Sequence, residues 1–347
     1  MDDGLDESDR SDDGLRALGW DGWFQRSWEE LECPRPVGRV SRLDRGWSSV
    51  LVGGVDAEPL RVRNIGEDVA VGDWVVVSAD EERVAHVLDR RSALARRSAD
   101  ESSTAHVLAA NVDVVLLVHA LTAPPNQPRL ERELVLAYES GATPVVVLTK
   151  ADRIEADVAA SVARVAEVAV DVPVHAVSAR AGAGLDALAT YWAGHRTVAL
   201  LGSSGVGKST LVNALLGEDV QRTAEVREGD QRGRHTTTAS DLLALPGGGL
   251  LIDTPGLRAV SLWTDGSMHG MGRAFADITE LAGRCRFADC HHDAEPDCAV
   301  RAAVAGGTLP ARRLASWLNL TGELARLDAE RIVSDRAASR GRGRRRR

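Results

Sequence analysis

No apolar run in this 347-residue chain approaches the roughly 18 residues that a membrane-spanning helix needs. A helical membrane span is therefore excluded, and no membrane partner is expected. The chain starts Met-Asp-Asp-Gly-Leu-Asp-Glu. It lacks the basic-then-apolar pattern of a secretory leader. Cysteine is scarce: there are four, and three of them fall within residues 285–298. That pattern argues against a disulfide framework. A cytoplasmic, monomeric protein is the expectation. No internal repeat is visible.

What is present is enough for two or three domains, with 44% apolar residues to build their cores. Charge is unevenly placed. Residues Arg336–Arg347 hold seven arginines and no acid, and without them the net charge of −9 would be −16. The stretch Asp2–Asp13 is acidic with one arginine. Both ends read as disordered, charged tails. The basic end suits either nucleic-acid phosphate, bound through counterion release, or plain solubilisation.

The texture of the sequence divides the chain into five parts. Residues 1–35 combine the acidic start with a short helical segment bearing Leu18, Trp20, Trp23, Phe24, Trp28 and Leu31. Those aromatics could stack on bases, but packing on the next domain is the stronger expectation. Residues 36–93 hold five short Val- and Trp-rich runs punctuated by glycine, as in an OB-type β-barrel. Arg39, Arg42, Arg45, Arg61 and Arg63 give that barrel a possible nucleic-acid face. After a basic connector, Arg90–Arg97, residues 94–265 alternate buried strands with helices, the α/β doubly wound pattern. Residues 266–335 carry the cysteine cluster and helical stretches, and 336–347 form the basic tail.

Chemistry concentrates in the α/β part. The loop GSSGVGKST fits G-x-x-x-x-G-K-[ST] and lies between an apolar strand and a helix. Gly202, Ser203, Ser204, Gly205, Val206, Gly207, Lys208, Ser209 and Thr210 would cradle phosphates with their backbone N–H groups. Lys208 would reach the β- and γ-phosphates, and the Ser209 hydroxyl would bind Mg²⁺. Asp253-Thr254-Pro255-Gly256 ends another apolar strand. It offers Asp253 near Mg²⁺ and the Gly256 N–H toward the γ-phosphate. Between them, the loop containing His235 and Thr236–Thr238 offers a hydroxyl for Mg²⁺. Thr237 is favoured, although spacing allows its neighbours.

Base choice falls to Thr149-Lys150-Ala151-Asp152, again after a strand. A buried carboxylate at Asp152 accepts two hydrogen bonds from guanine, and adenine would leave it unpaired at a cost of roughly 1–3 kcal/mol. Lys150 lies along the base, and Ser178-Ala179 brings a backbone N–H to the guanine O6. The motif order is the base motif, then the phosphate loop, then D-T-P-G. That order is a circular permutation of a guanine-nucleotide domain. Short covalent leverage from D-T-P-G into the cysteine region would follow. Leu257 stands where a water-orienting glutamine is usual, so His235 is the local candidate for placing the water. Farther along, Cys285, Cys290, His292 and Cys298 form C-x₄-C-x-H-x₅-C, which suits one closed, structural Zn²⁺, with His291 as the competing ligand.

These motifs together resemble the bacterial circularly permuted GTPases known as ribosome small-subunit-dependent GTPase A. The resemblance spans about Leu15–Ile332 and rests on GSSGVGKSTLVNAL, GRHTTT, DTPG, TKAD and the cysteine pattern behind a barrel. It implies GTP hydrolysis during late maturation of the small ribosomal subunit, with rRNA contacted by the barrel and the zinc domain. It also implies that His235 is catalytic and that Leu257 is the usual hydrophobic replacement. Thr149 departs from the commoner asparagine and makes fewer hydrogen bonds. Two alternatives remain at this stage: an RNA-binding module gated by nucleotide with negligible turnover, and a GTPase serving a non-ribosomal partner.

Overall fold

The computed structural model describes residues 13–32, 35–80, 82–97, 105–124, 126–154, 157–217, 240–253 and 268–345; for 96, 97, 105 and 334–345 it describes the backbone alone. The Val-rich runs near the start form β1 (Val37–Asp44), β2 (Trp47–Leu51) and β3 (Leu60–Arg63), an antiparallel meander. β4 (Trp74–Val77) pairs with β1, and β5 (Val84–Val87) pairs with β4. A parallel bridge between Arg63 and Arg83 closes the circuit. The resulting order, β1-β2-β3-β5-β4-β1, is a five-stranded barrel of the kind the spacing suggests. Alternation places Val40, Val50, Val62, Val75, Val77 and Val84 inside it.

The N-terminal aromatics pack against this barrel. Asp21 caps α1 (Gly22–Glu29) by accepting from the N–H groups of Trp23 and Phe24. Trp20 and Phe24 then lie 4.7 and 5.7 Å from the ring of Trp74. Arg39 corrects the expected basic face. It is fully buried and donates to the carbonyls of Leu18, Gly72 and Asn111. It stands on the face of β1 opposite Val40, beneath the N-terminal segment, so its charge is solvated by peptide dipoles rather than by water.

The connector expected at Arg90–Arg97 contains a strand. β6 (Ala93–Arg97) forms a hairpin with β7 (Ala105–Ala110). Arginines hid its alternation. Beyond it lies the main sheet: β8 (Val114–Ala120), β9 (Thr143–Thr149), β10 (Val174–Ala176), β11 (Thr197–Leu201), β12 (Asp241–Leu245) and β13 (Gly249–Asp253). Their spatial order is β10-β9-β8-β11-β13-β12, parallel except for β12. β11 is central although it comes fourth in this part of the chain. Helices α2 (Gln127–Glu139), α3 (Val158–Ala166) and α4 (Lys208–Leu216) cover the sheet, whose near-continuous Val/Leu strands are buried on both faces. β12 also meets β1 at Asp241 and Arg42, which joins barrel and sheet edge to edge.

The last part is helical: α5 (His269–Ala274), α6 (Ala276–Ala282), α7 (Ala299–Ala305) and α8 (Ala311–Arg345). Gly270 brings α5 onto α2, its N–H donating to Glu139 at 2.8 Å. A Cβ at that position would lie 2.5 Å from the Glu139 side chain. Leu314, Leu320 and Leu324 bury α8 in the same core. The α8 backbone is helical to Arg345. Once the packed turns nucleate the helix, adding Arg and Ala residues to it is cheap.

Candidate functional site

The phosphate loop runs from the end of β11 into α4, at the carboxyl edge of the parallel strands, where ligands bind in open α/β sheets. Gly202 has φ +151°, and a Cβ there would sit 2.3 Å from the Val118 carbonyl of β8. Only glycine fits so close to the neighbouring strand. Lys208 folds back under the loop, its ammonium donating to the carbonyls of Gly202 (2.7 Å) and Ser203 (2.6 Å). Ser209 and Thr210 are exposed on the first turn of α4, whose N-terminal N–H groups favour anions. Ser204, Gly205, Val206 and Gly207 complete the turn. Asp253 ends β13, the strand beside β11, so its carboxylate stands on the same edge as Ser209.

The base motif reaches the loop through two contacts. Lys150 adopts a left-handed backbone (φ +61°) and donates to the Gly205 carbonyl at 2.7 Å. Thr149, expected as a nucleotide contact, is 2% exposed. Its hydroxyl donates toward the Val206 carbonyl, with the His119 carbonyl 3.2 Å away. Thr149 is thus a tie between the base motif and the phosphate loop. Asp152 is exposed rather than buried, because its 3-10 turn (Ala151–Arg153) stands clear of the sheet. The Ser178 hydroxyl donates to its carboxylate and holds it below the usual carboxylate range. Ser178 therefore orients Asp152, while its own N–H is bonded to the Ala183 carbonyl. Ala179 lines the pocket. A cavity of about 140 Å³ is bounded by Thr149, Lys150, Asp152, Ala179, Gly207 and Thr210, together with Arg153 and Arg180. The two arginines were missed in the sequence, although each directly follows a motif.

Four expected residues, His235, Thr237, Gly256 and Leu257, lie outside the described residues, as do Thr236 and Thr238. One cluster had no motif to announce it. His119 at the end of β8 is buried, with Nε2 2.7 Å from Glu133, and Glu133 also accepts from Arg129 at 2.8 Å. Glu133 and Arg129 border a larger cavity, about 690 Å³, between α2, α8 and Gly202. Its arginines Arg129 and Arg132 are already paired with Glu133 and Glu323.

The second site fits a metal. The Sγ atoms of Cys285, Cys290 and Cys298 and a His292 ring nitrogen all lie within 4.8 Å of one another. Cys285 and Cys298 sulfurs are 3.8 Å apart, and His292 Nδ1 is 3.6 and 3.4 Å from them. A tetrahedral zinc with Zn–S bonds of about 2.3 Å requires sulfur–sulfur spacings near ~3.8 Å. His292 is buried and packs on Trp317 of α8, whereas the side chain of His291 is 83% exposed. Cys298 caps α7, its sulfur accepting from the Arg301 N–H.

Comparison with known proteins agrees with this geometry. The family model described as RsgA GTPase matches residues 87–263. A protein of Streptomyces avermitilis named small ribosomal subunit biogenesis GTPase RsgA is 45% identical, over 94% of this chain and 90% of its own. One of the same name from Methanosarcina acetivorans is 41% identical, over 88% and 84%. The crystal structure of YjeQ from Thermotoga maritima matches with a TM-score of 0.63 and 26% identity, over 84% of this chain and 99% of that one. YloQ, described as a circularly permuted GTPase, gives 0.61 and 26%, over 84% and 95%.

Proposed function

Because the chain belongs to the RsgA GTPase family, we propose that it binds the small ribosomal subunit and hydrolyses GTP to GDP and phosphate during late subunit maturation. The observation that carries this reading is the joining of Asp152, Lys150 and Thr149 to a phosphate loop that follows them in the chain. That arrangement selects guanine and holds a triphosphate in one rigid unit. Asp152, aimed by Ser178, accepts from the base, and the Lys150 stem lies along it. Lys208 turns from the loop carbonyls to the β- and γ-phosphate oxygens.

Ser209, Asp253 and Thr237 would hold Mg²⁺. When bound, the ion would supply positive charge that offsets the charge of the phosphates. Gly256 presents its N–H to the γ-phosphate, and His235 places the attacking water where Leu257 cannot. Cys285, Cys290, His292 and Cys298 would hold one zinc, which would stabilise the helical module. In this reading 36–93 and 266–335 are the arms that meet rRNA, and 94–265 is the switch between them. The protein works as a cytoplasmic monomer.

The test is GTP turnover titrated with purified small subunits. Stimulation that disappears in Asp152→Asn at limiting GTP is the expected result. Tight subunit binding with no turnover would identify a nucleotide-gated placeholder instead. Absence of any subunit effect would point to another partner.

A further inference from the structure

The β2–β3 face of the barrel carries an arrangement that neither packing nor ion pairing explains. Trp47 opens β2 directly after the Asp44–Trp47 turn, in which Gly46 has φ +76°. It pairs with Arg63 across the ladder, and Ser49 pairs with Arg61. Residues 47, 49, 61 and 63 therefore share one face, opposite the buried Val50 and Val62. Both guanidinium groups lie over the indole, at 4.9 Å for Arg61 and 5.0 Å for Arg63. Both arginines are exposed, and the tryptophan is half-buried.

The turn beneath them is braced. The Asn64 N–H donates to Gly46 at 2.9 Å, and the Ser48 hydroxyl donates to the Asn64 side chain at 2.7 Å. The plane of the indole is thus set in advance. Other tryptophans have structural work: Trp20, Trp74 and Trp192 are buried, and Trp317 covers His292. Other arginines, such as Arg42, Arg90, Arg132 and Arg313, meet carboxylates. Among the described residues no carboxylate pairs with Arg61 or Arg63. Two uncompensated cations therefore sit on an accessible ring in a chain of net charge −9.

Planar guanidinium and indole groups stack on nucleobases, and the unpaired positive charges suit phosphate. Strands 2 and 3 of an OB-type barrel form the face on which oligonucleotides lie. We propose that Trp47, Arg61 and Arg63 form a stacking subsite for one unpaired RNA base and its flanking phosphates. The proposal rests on the ribosomal reading for its choice of RNA. A duplex is disfavoured, since its bases offer no free face. A protein partner would be expected to bring carboxylates to the arginines and has no use for a pre-set stack.

The experiment measures binding of a short single-stranded oligouridylate to the full-length protein, and of a blunt RNA duplex as control. Trp47→Ala should weaken oligouridylate binding on the order of tenfold or more, with Trp47→Phe retaining most of it. The exposed double variant Arg61→Ser/Arg63→Ser should lower the slope of log affinity against log salt by roughly 1.4 for two single-strand phosphates. Subunit-independent GTP turnover should stay unchanged in all three, which establishes that they fold. Unaltered oligouridylate binding in Trp47→Ala overturns the proposal. So does an equal loss in Trp47→Ala and Trp47→Phe, or duplex binding as tight as that of the single strand. Loss of subunit stimulation with oligouridylate binding intact overturns it in favour of a ribosomal-protein contact. If the wild type is not stimulated by subunits, the ribosomal reading fails, and the oligouridylate comparison still decides this one.

Discussion

Two buried arginines hold the two ends of this molecule onto its GTPase domain, in opposite ways. Arg39 joins the N-terminal segment and the barrel to Asn111, between β7 and β8, and it does so through carbonyls alone. Burial without a bonded carboxylate pushes its pKa down to about 10. Arg313 joins α8 to α2 and α6 through Glu131 (3.0 Å), Asp277 (2.9 Å) and the Ala274 carbonyl (2.8 Å). Burial also disfavours its charge, but Asp277 and Glu131 more than offset this and raise its pKa. The barrel joint is built from backbone dipoles that cannot be titrated. The joint to the zinc module is built from charges that can. It also holds α5, the first helix after D-T-P-G among the described residues, against α2. A pull from that switch would therefore have to work against a salt-bridged seam.

The largest test of this contrast is Arg313→Ala. It strands Glu131, which is fully buried and already has one oxygen without a partner. A loss of about 3–5 kcal/mol in urea unfolding is expected, and Arg313→Met/Glu131→Leu should recover most of it. Arg39→Met should cost less, about 2–3 kcal/mol, because it leaves dipoles rather than a charge unsatisfied. No partner substitution should rescue it; if one does, the two joints are alike after all. Gly72→Ala comes next. Gly72 has φ +89°, with Cβ space only 2.2 Å from the Ala110 carbonyl. It should lose about 1–3 kcal/mol, read as a lower thermal midpoint with GTP affinity retained.

The smallest effect is expected at Arg132 and Glu323, a bidentate pair about one-third exposed. Glu323→Gln should cost at most about 1 kcal/mol, and less at high salt. The hydrogen bond from Arg132 holds the Glu323 carboxyl below its usual range. Its contribution is therefore complete above the ordinary glutamate pKa and is lost as pH falls through the lower folded value. Hydrogen exchange followed below the ordinary glutamate pKa should show α8 loosening before the barrel joint.

Much of the nucleotide site was legible because phosphate and guanine each demand fixed residue types at fixed spacing. Gly202, Lys208, Asp152 and the four zinc-type ligands come together as their motifs imply. The barrel strands were legible through alternation alone. Arg39 was not, because an arginine on a strand looks the same whether its head meets water or three carbonyls 21, 33 and 72 residues away in sequence. Nor was the tie that Thr149 makes to the phosphate loop, whose partner Val206 is set only when β9 and β11 fold into one sheet. The His119–Glu133 pair was hidden for the same reason: the two residues meet only through the return of α2 over β8.

The two ammonium groups that brace the phosphate loop, Lys150 and Lys208, are the only lysines in the chain; the other 40 basic residues counted with them are arginine. A lysine-specific protease therefore has two sites, and both lie against the phosphate loop. Complete cleavage would release residues 151–208, which carry Asp152, Ser178 and most of the phosphate loop. If both lysines contact GTP as proposed, bound GTP should shield both cuts at once. Digestion rate would then gauge occupancy, and amine-coupled immobilisation or acylation would consume the very groups that brace the phosphate loop.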